Sequence, residues 1–337
     1  MKNHTRKIGS VDVGVIGLGC MNLSHGYGPA INQHDAKSVL FGAVDRGVKH
    51  FDTAALYGFG KNEELVGDAL KDVRKNIYLA SKCGMTGVDG KRVIDGRPEA
   101  LRKTLDEALI RLQTDVIDLY YLHRFDKLNE IPIEESVGEM GRMVEAGKVK
   151  QIGLSEVSAD TIYKAHTEFP IAAVQSEYSL WSRNVEVAVL DACKEIGAAF
   201  VAFSPLGRGF LADLELDPSD FSESDIRRGM PRFQSPHFEE NRKLRPPVAQ
   251  LAEEANCTPA QLALCWLMSK GDNVIPIPGT TSLTHLEENI GASSIAVDSE
   301  ILRKLETLLT QGSISGGRYP ASTQEEIDTE ELPAGQA

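Results

Sequence analysis

Short apolar runs alternate with longer amphipathic stretches along nearly the whole chain. The runs are VGVIGLG (13–19), VKHFD (48–52), IYLASK (77–82), VIDLYYLH (116–123), VKQIGLS (149–155), IAAVQSEY (171–178), AAFVAFSP (198–205) and NVIPIPG (273–279). Most are rich in Val, Ile and Leu without strict polar alternation, the character of strands buried on both faces. Between them, AKSVLFGAVDRG (36–47), EELVGDALKDV (63–73), RPEALRKTLDEALIRL (97–112), IEESVGEMGRMVEAG (133–147) and EVAVLDACKEIG (186–197) carry apolar residues at helical spacing. Pro98 and the Thr258-Pro259 pair read as helix starts, Gly147 and Gly197 as helix ends. Strand and helix repeated eight times predict parallel pairing with right-handed crossovers, closed into an α/β fold of the (β/α)8 TIM-barrel type. A doubly wound open sheet is the competing architecture.

Three segments stand outside this rhythm. RKIGSVDVG (6–14) places turn residues between two short segments, predicting an N-terminal β-hairpin that caps the barrel bottom. Residues 207–238 form a long polar loop, acidic and then basic, of the kind that serves as a lid at the C-terminal face. After Gly312 the chain turns acidic and rich in Gly, Ser and Thr. The expected organisation is a single barrel over 1–312 and a tail over 313–337 without regular structure.

Composition narrows the function classes. The 337 residues are 42% hydrophobic and 25% charged, with a net charge of -13, which disfavours a nucleic-acid partner because phosphate binding needs clustered Lys and Arg. The opening MKNHTRKIGSVDV lacks the apolar stretch of a leader, and no window is long and apolar enough for a membrane helix. Five cysteines without a CxxC pair fit reduced thiols rather than disulfides or zinc. A cytoplasmic protein without a metal site, acting on a small molecule rather than on nucleic acid or a membrane, is expected. Monomer and homo-oligomer both stay open.

Barrels carry their chemistry at the C-terminal ends of strands. Those ends are Asp52, Lys82, His123, Ser155, Gln175 to Tyr178, and Phe203-Ser204, with Tyr57 in the loop five residues after Asp52. Each of the first groups has an ordinary alternative: Asp52 as a turn cap, Lys82 as a solvated strand end, His123 as a core histidine, Tyr57 as a loop aromatic. Together at one mouth they suit carbonyl reduction, which needs a hydride to carbon and a proton to oxygen. A phenol is a weak acid, and an ammonium about 4 Å away would lower its pKa by up to roughly 3 units. Lys82 is therefore expected to bring Tyr57 toward the working range, Asp52 to hold Lys82 charged, and His123 to orient the carbonyl oxygen.

FDTAALYG (51–58), LASKCG (79–84), DLYYLHR (118–124), KVKQIGLSE (148–156), AFSPLGRG (202–209) and IPGTTSLTHLEENIGA (277–292) resemble, in register, the signatures of the aldo-keto reductase superfamily. The likeness runs from about Ile8 to about Leu309 and points to the branch that contains pyridoxal and perakine reductases. It implies that Asp52, Tyr57, Lys82 and His123 are catalytic, with Tyr57 the proton donor. Ser155 and Gln175 would hold the nicotinamide carboxamide, Phe203 would lie against its ring, and Met21 would sit beside it. Ser204, Leu206, Gly207 and Arg208 would meet the pyrophosphate. Gly279, Thr280, Thr281 and Ser282 would line the adenosine phosphate pocket, with Glu288 and Asn289 at the adenine.

The chain departs from that pattern in three places. Glu156 follows Ser155 where many members have Asn. Phe203 replaces a Tyr or Trp. The segment after IPGTT has Ser282 and His285 where Lys or Arg often grips the 2′-phosphate, so NADPH is the expected cofactor, with Arg208 assisting, and NADH a usable alternative. The substrate pocket is expected to be walled by Leu56, Phe59, Phe125, Asp126, Tyr178, Trp181 and Arg183, and closed by the 207–238 loop and Arg318-Tyr319. Gly17-Leu18-Gly19 follows a strand, but Asn22 replaces the third glycine of a Rossmann fingerprint. Two rival functions are a Schiff-base lyase or aldolase using Lys82, which the neighbouring Asp52 disfavours, and a non-catalytic cofactor-binding regulatory subunit.

Overall fold

A computed structural model describes residues 5–212 and 215–331. Arg6–Ile8 (β1) and Val11–Val13 (β2) form the expected antiparallel hairpin. The eight expected runs become Leu18–Gly19 (β3), His50–Asp52 (β4), Tyr78–Cys83 (β5), Ile117–Leu122 (β8), Val149–Ser155 (β9), Ile171–Glu177 (β10), Ala199–Phe203 (β11) and Val274–Pro276 (β12). They pair in parallel in sequence order, interrupted only by a second hairpin, Met85–Val88 (β6) with Lys91–Ile94 (β7), which the hydrophobic pattern does not reveal. The last strand returns to the first: the Gly17 and Gly19 amides donate to Pro276 and Pro278 carbonyls at 3.0 and 3.3 Å, closing a (β/α)8 barrel.

The helices start and stop where local chemistry requires. Thr258 and Gln261 form a capping box at the start of Pro259–Ser269. Gly147 and Gly197, each at φ +72°, turn the chain out of helices Ile133–Glu145 and Val189–Glu195 in a conformation that costs glycine nothing.

Strand alternation sorts the interior into layers. Tyr78, Ala80, Leu119, Tyr121, Ala173, Ala199, Val201 and Ile275 fill the axis, and Ile8 and Val13 of the hairpin plug it from below. Gly153 makes room for Tyr121, because a Cβ there would lie 2.6 Å from the ring. The intervening residues, among them Leu79, Tyr120, Leu154 and Phe200, pack outward against the helices.

Two expectations change. The described residues of 207–238 do not form an open loop; among them lie four short 3-10 turns, from Gly207–Gly209 to Pro231–Phe233, ahead of helix His237–Arg242. The described part of the tail is also ordered. Ala321–Gln324 is helical, Asp328 accepts from the Ser158 amide and from the Ser158 and Thr161 hydroxyls, and Glu330 accepts from the Ala159 amide. Its acidity thus serves the exposed N–H groups of helix Ala159–Glu168, whose dipole favours anions there. Among the described residues no helix is long and apolar enough to cross a membrane, and no disulfide forms.

His50 sits fully buried low in the barrel, edge-on to Tyr78, with neither ring nitrogen hydrogen-bonded. Burial lowers its pKa to about 4. The unfolded chain takes up a proton near pH 6.5 and the folded chain only near 4, so this residue costs stability as pH falls through that window and nothing above it. Between pH 7 and pH 4, His50→Asn should gain roughly 3 kcal/mol relative to the native chain in urea-unfolding free energy. A constant difference across that range would contradict the burial argument.

Candidate active site

Asp52, Lys82, Ser155, Gln175 and Phe203 share the inward parity of their strands, and His123 directly follows β8 with the same parity, one layer above the apolar axis. The strands therefore converge these groups at one mouth. The Lys82 ammonium donates to an Asp52 carboxylate oxygen, to the Thr53 carbonyl at 2.8 Å and to the Tyr57 hydroxyl at 3.3 Å. Gln175 donates to the other Asp52 oxygen at 2.7 Å. The Tyr57 ring stands edge-on to His123, centroids 5.8 Å apart, and lies under His25 at 6.0 Å.

The loop carrying Tyr57 is fixed from behind by Asn62, which accepts from the Thr53 hydroxyl at 2.6 Å and donates to the Cys20 carbonyl at 2.8 Å and Ser24 hydroxyl at 2.6 Å. Gly60, at φ +91°, lets that loop pass against Arg111, whose Cδ would be 2.9 Å from a Cβ.

Burial dominates the electrostatics of this group. It would lower the Lys82 pKa, but Asp52 and Tyr57 overcome it, and the ammonium is held above its ordinary range. That argues against a Schiff-base nucleophile, which must lose its proton. Tyr57 corrects an expectation: burial raises its pKa by more than Lys82 lowers it, so the phenol keeps its proton more firmly than a free tyrosine. His123 is pushed well below its usual value by burial, then by Lys82, Arg124, Arg92 and His25, so its ring is neutral at physiological pH.

The mouth opens into a cavity of about 820 Å³. Its lining holds Met21, Asp52, Leu56, Tyr57, His123, Ser155, Gln175, Phe203, Ser204, Leu206, Arg208, Gly279, Thr280, Thr281, Glu288 and Asn289, all singled out from sequence. Lys82 stays behind Tyr57, fully buried. Ser282 is turned away, accepting from the His285 amide as the cap of helix Leu283–Gly291, while His285 lines the cavity. Gly207 packs on Trp181 instead.

Most of the expected substrate wall lies elsewhere. Tyr178 is buried between Phe200 and Trp266, its hydroxyl donating to Glu186. Trp181 stacks on Phe210 at 4.0 Å. Phe59, 55% exposed, packs over Gly87 of the second hairpin, and Phe125 packs against the core. Asp126 accepts from the Gly96 amide, and Arg183 pairs with Glu186. The lining of the cavity is completed instead by Met85 and Arg92 of the second hairpin, by Arg124, Arg227 and Met230, and by Tyr319, Pro320 and Thr323 of the tail.

A buried charge network ties that tail to the strand ends. Arg318 donates to both Glu156 oxygens at 2.9 and 2.8 Å, and Arg208 donates to Glu177 at 2.7 Å and to the Tyr319 hydroxyl at 3.0 Å. Arg232 donates to the Ser182 hydroxyl and the Gly316 carbonyl. Glu156, expected beside the carboxamide, points into this network, and Arg208, expected to assist the 2′-phosphate, is committed to Glu177. Three guanidiniums face two carboxylates here, an excess of positive charge behind the cavity wall. Among the described residues no group of His, Cys, Asp or Glu is arranged to hold a metal.

A sequence model of the Aldo/keto reductase family matches residues 15–310. The chain is 41% identical over 342 residues to the "aldo-keto reductase yakc [NADP(+)]" of Schizosaccharomyces pombe, covering 99% of this chain and 100% of that protein. It is 42% identical over 311 residues to "probable aldo-keto reductase 1" of Glycine max, covering 91% and 89%. Among solved structures, glycerol dehydrogenase of Gluconobacter oxydans superposes at TM-score 0.83 with 25% identity, covering 100% of both chains. An aldo/keto reductase of Klebsiella pneumoniae, solved with NADP and acetate, superposes at 0.71 with 25% identity, covering 97% and 100%.

Arg318→Met should strand Glu156 in the interior, at a cost of about 3–5 kcal/mol for one partner of a buried pair. Its melting temperature should fall, and limited proteolysis should cut within 315–331. A protease-resistant tail at native stability would contradict the anchoring role.

Proposed function

The chain belongs to the aldo/keto reductase family of oxidoreductases, and from that premise we propose that it reduces aldehydes or ketones to alcohols, reversibly, with Tyr57 as proton donor and NADPH as cofactor. The observation that carries this reading is the contact of a protonated phenol with a charged ammonium, beside a neutral imidazole, at the mouth of a cavity reaching Asn289.

The residues fit a nicotinamide dinucleotide. Gln175 spends its amide N–H on Asp52 and keeps its carbonyl oxygen for a carboxamide, with the Ser155 hydroxyl alongside. Phe203 offers an apolar face for the ring. The excess positive charge of Arg208, Arg232 and Arg318 over Glu156 and Glu177 suits a pyrophosphate on the cavity side. Thr280, Thr281, His285 and the amides opening helix Leu283–Gly291 would meet the adenosine phosphate, with Glu288 and Asn289 at the adenine. When bound, the reduced cofactor supplies the hydride.

The chain's own residues manage the proton. Burial keeps it on Tyr57 until the carbonyl oxygen gains negative charge and becomes the stronger base. The phenol then gives its proton to that oxygen, and the phenolate left behind is stabilised by the Lys82 ammonium. Asp52, fixed by Gln175, keeps Lys82 charged and aimed. His123 donates a hydrogen bond to the same oxygen, and its neutrality means that it cannot compete as the acid. In oxidation each step runs backward.

Tyr57→Phe should lower kcat for aldehyde reduction by about 10²-fold or more while leaving the cofactor dissociation constant near the native value. Turnover that survives this change would refute the role. With no guanidinium at Ser282 or His285, discrimination should be modest: NADPH should bind about tenfold more tightly than NADH. A ratio of dissociation constants near one, by fluorescence titration, would refute the NADPH preference.

A further inference from the structure

Beside the reacting groups stands a buried cation that nothing balances. Arg124 follows His123 at the end of β8, is only 8% exposed, and lines the cavity next to Tyr57 and His123. Its Nη1 donates to the His123 carbonyl at 2.9 Å, while its buried Nε donates to nothing. Arg208, Arg227 and Arg318 each have a carboxylate partner. Arg124 has none among the described residues.

The neighbours do not supply one. Asp52 is taken by Lys82 and Gln175, and Glu326 pairs with Arg92 at 2.6 Å. The other ionisable groups at this end, Lys82 and His25, do not bring negative charge. The chain is acidic overall, yet this end of the cavity is cationic. The phosphates of a dinucleotide lying as proposed above would sit toward Thr280 and Arg208, away from His123. A guanidinium removed from water without a counter-charge is costly, so its retention at a ligand-facing wall calls for an anion that arrives with the ligand. One uncompensated charge with free, planar N–H donors matches a monoanionic carboxylate.

We infer that Arg124 is the anion-holding group of the substrate pocket, and that the favoured substrates are aldehydes or ketones carrying a carboxylate away from the reacting carbon. This rests on the carbonyl-reductase reading and adds to it a substrate class and a positioning residue. The carboxylate would dock on the part of the Arg124 guanidinium that lines the cavity. The carbonyl oxygen would then fall between Tyr57 and His123, whose backbone carbonyl Arg124 already holds.

The test uses matched pairs: 4-carboxybenzaldehyde and 2-carboxybenzaldehyde, each against its methyl ester, with NADPH and the full chain. In the native protein kcat/KM for at least one acid should exceed that of its ester by about tenfold or more, mainly through KM, as expected for one charge-assisted contact. In Arg124→Met that ratio should collapse toward one, whatever the absolute rates. Arg124→Lys should retain part of it, and serves if the Met variant does not fold. Esters reduced as well as both acids by the native protein, or a preference that survives Arg124→Met, would overturn the anion site and leave the reductase reading standing. Tight NADPH binding with no turnover of any of the four aldehydes would overturn the reductase reading, and the anion site with it.

Discussion

Closing eight parallel strands on themselves obliges every second side chain of each strand to share one narrow axial space. Low in the barrel that space is filled by Tyr78, Leu119, Tyr121 and Ile275, with Ala80, Ala173 and Gly153 yielding room to the larger rings. One layer higher the same parity delivers Asp52, Lys82, Gln175 and Ser155. The polar groups cannot retreat to solvent, because the apolar layer and the N-terminal hairpin seal the floor. They must satisfy one another, and the Asp52–Lys82–Gln175 cluster with Tyr57 is the arrangement that does so. Packing geometry and chemistry thus have one cause.

Dryness gives these groups their character. In water an ammonium beside a phenol would make the phenol more acidic; here burial outweighs it and Tyr57 holds its proton. The same burial keeps His123 neutral and makes Lys82 depend on Asp52. The outer ring of charge, from Glu156 and Glu177 to Arg208 and Arg318, extends that logic to the rim and ties the tail to it.

The barrel was legible in the sequence because buried parallel strands are continuous apolar runs; seven of the eight lie within three residues of their bounds, while the run 13–19 shrinks to Leu18–Gly19 and gives Val13 to the hairpin. The catalytic candidates were legible because they end those runs. What failed is equally physical. Tyr178 ends the sixth run but follows inward-facing Glu177, so its parity turns it outward onto Trp266. Phe59 has φ +54°, which swings it from the mouth to Gly87. The hairpin Met85–Ile94 carries MTGV and KRVI, four-residue strands too short for a periodic signal, although Asp89-Gly90 between them is a turn signal that could have found it. The order of the tail is not legible in its composition, because the partners of its acids, helix amides and Arg92, lie far away in sequence. Arg124 lay inside a recognised motif, but its missing counter-charge is visible only in three dimensions.

Glu156, Ser204 and Arg208 all stand at the mouth with φ between +48° and +58°, a region that residues with a Cβ enter at a cost. Each directs a side chain that a glycine could not supply. Selection for thermal robustness alone would drift toward glycine at Ser204, whereas at Glu156 and Arg208 the buried ion pairs outweigh the strain. The result would be a sturdier barrel with a blunted rim, so an engineer screening this scaffold should rank variants by aim as well as by endurance.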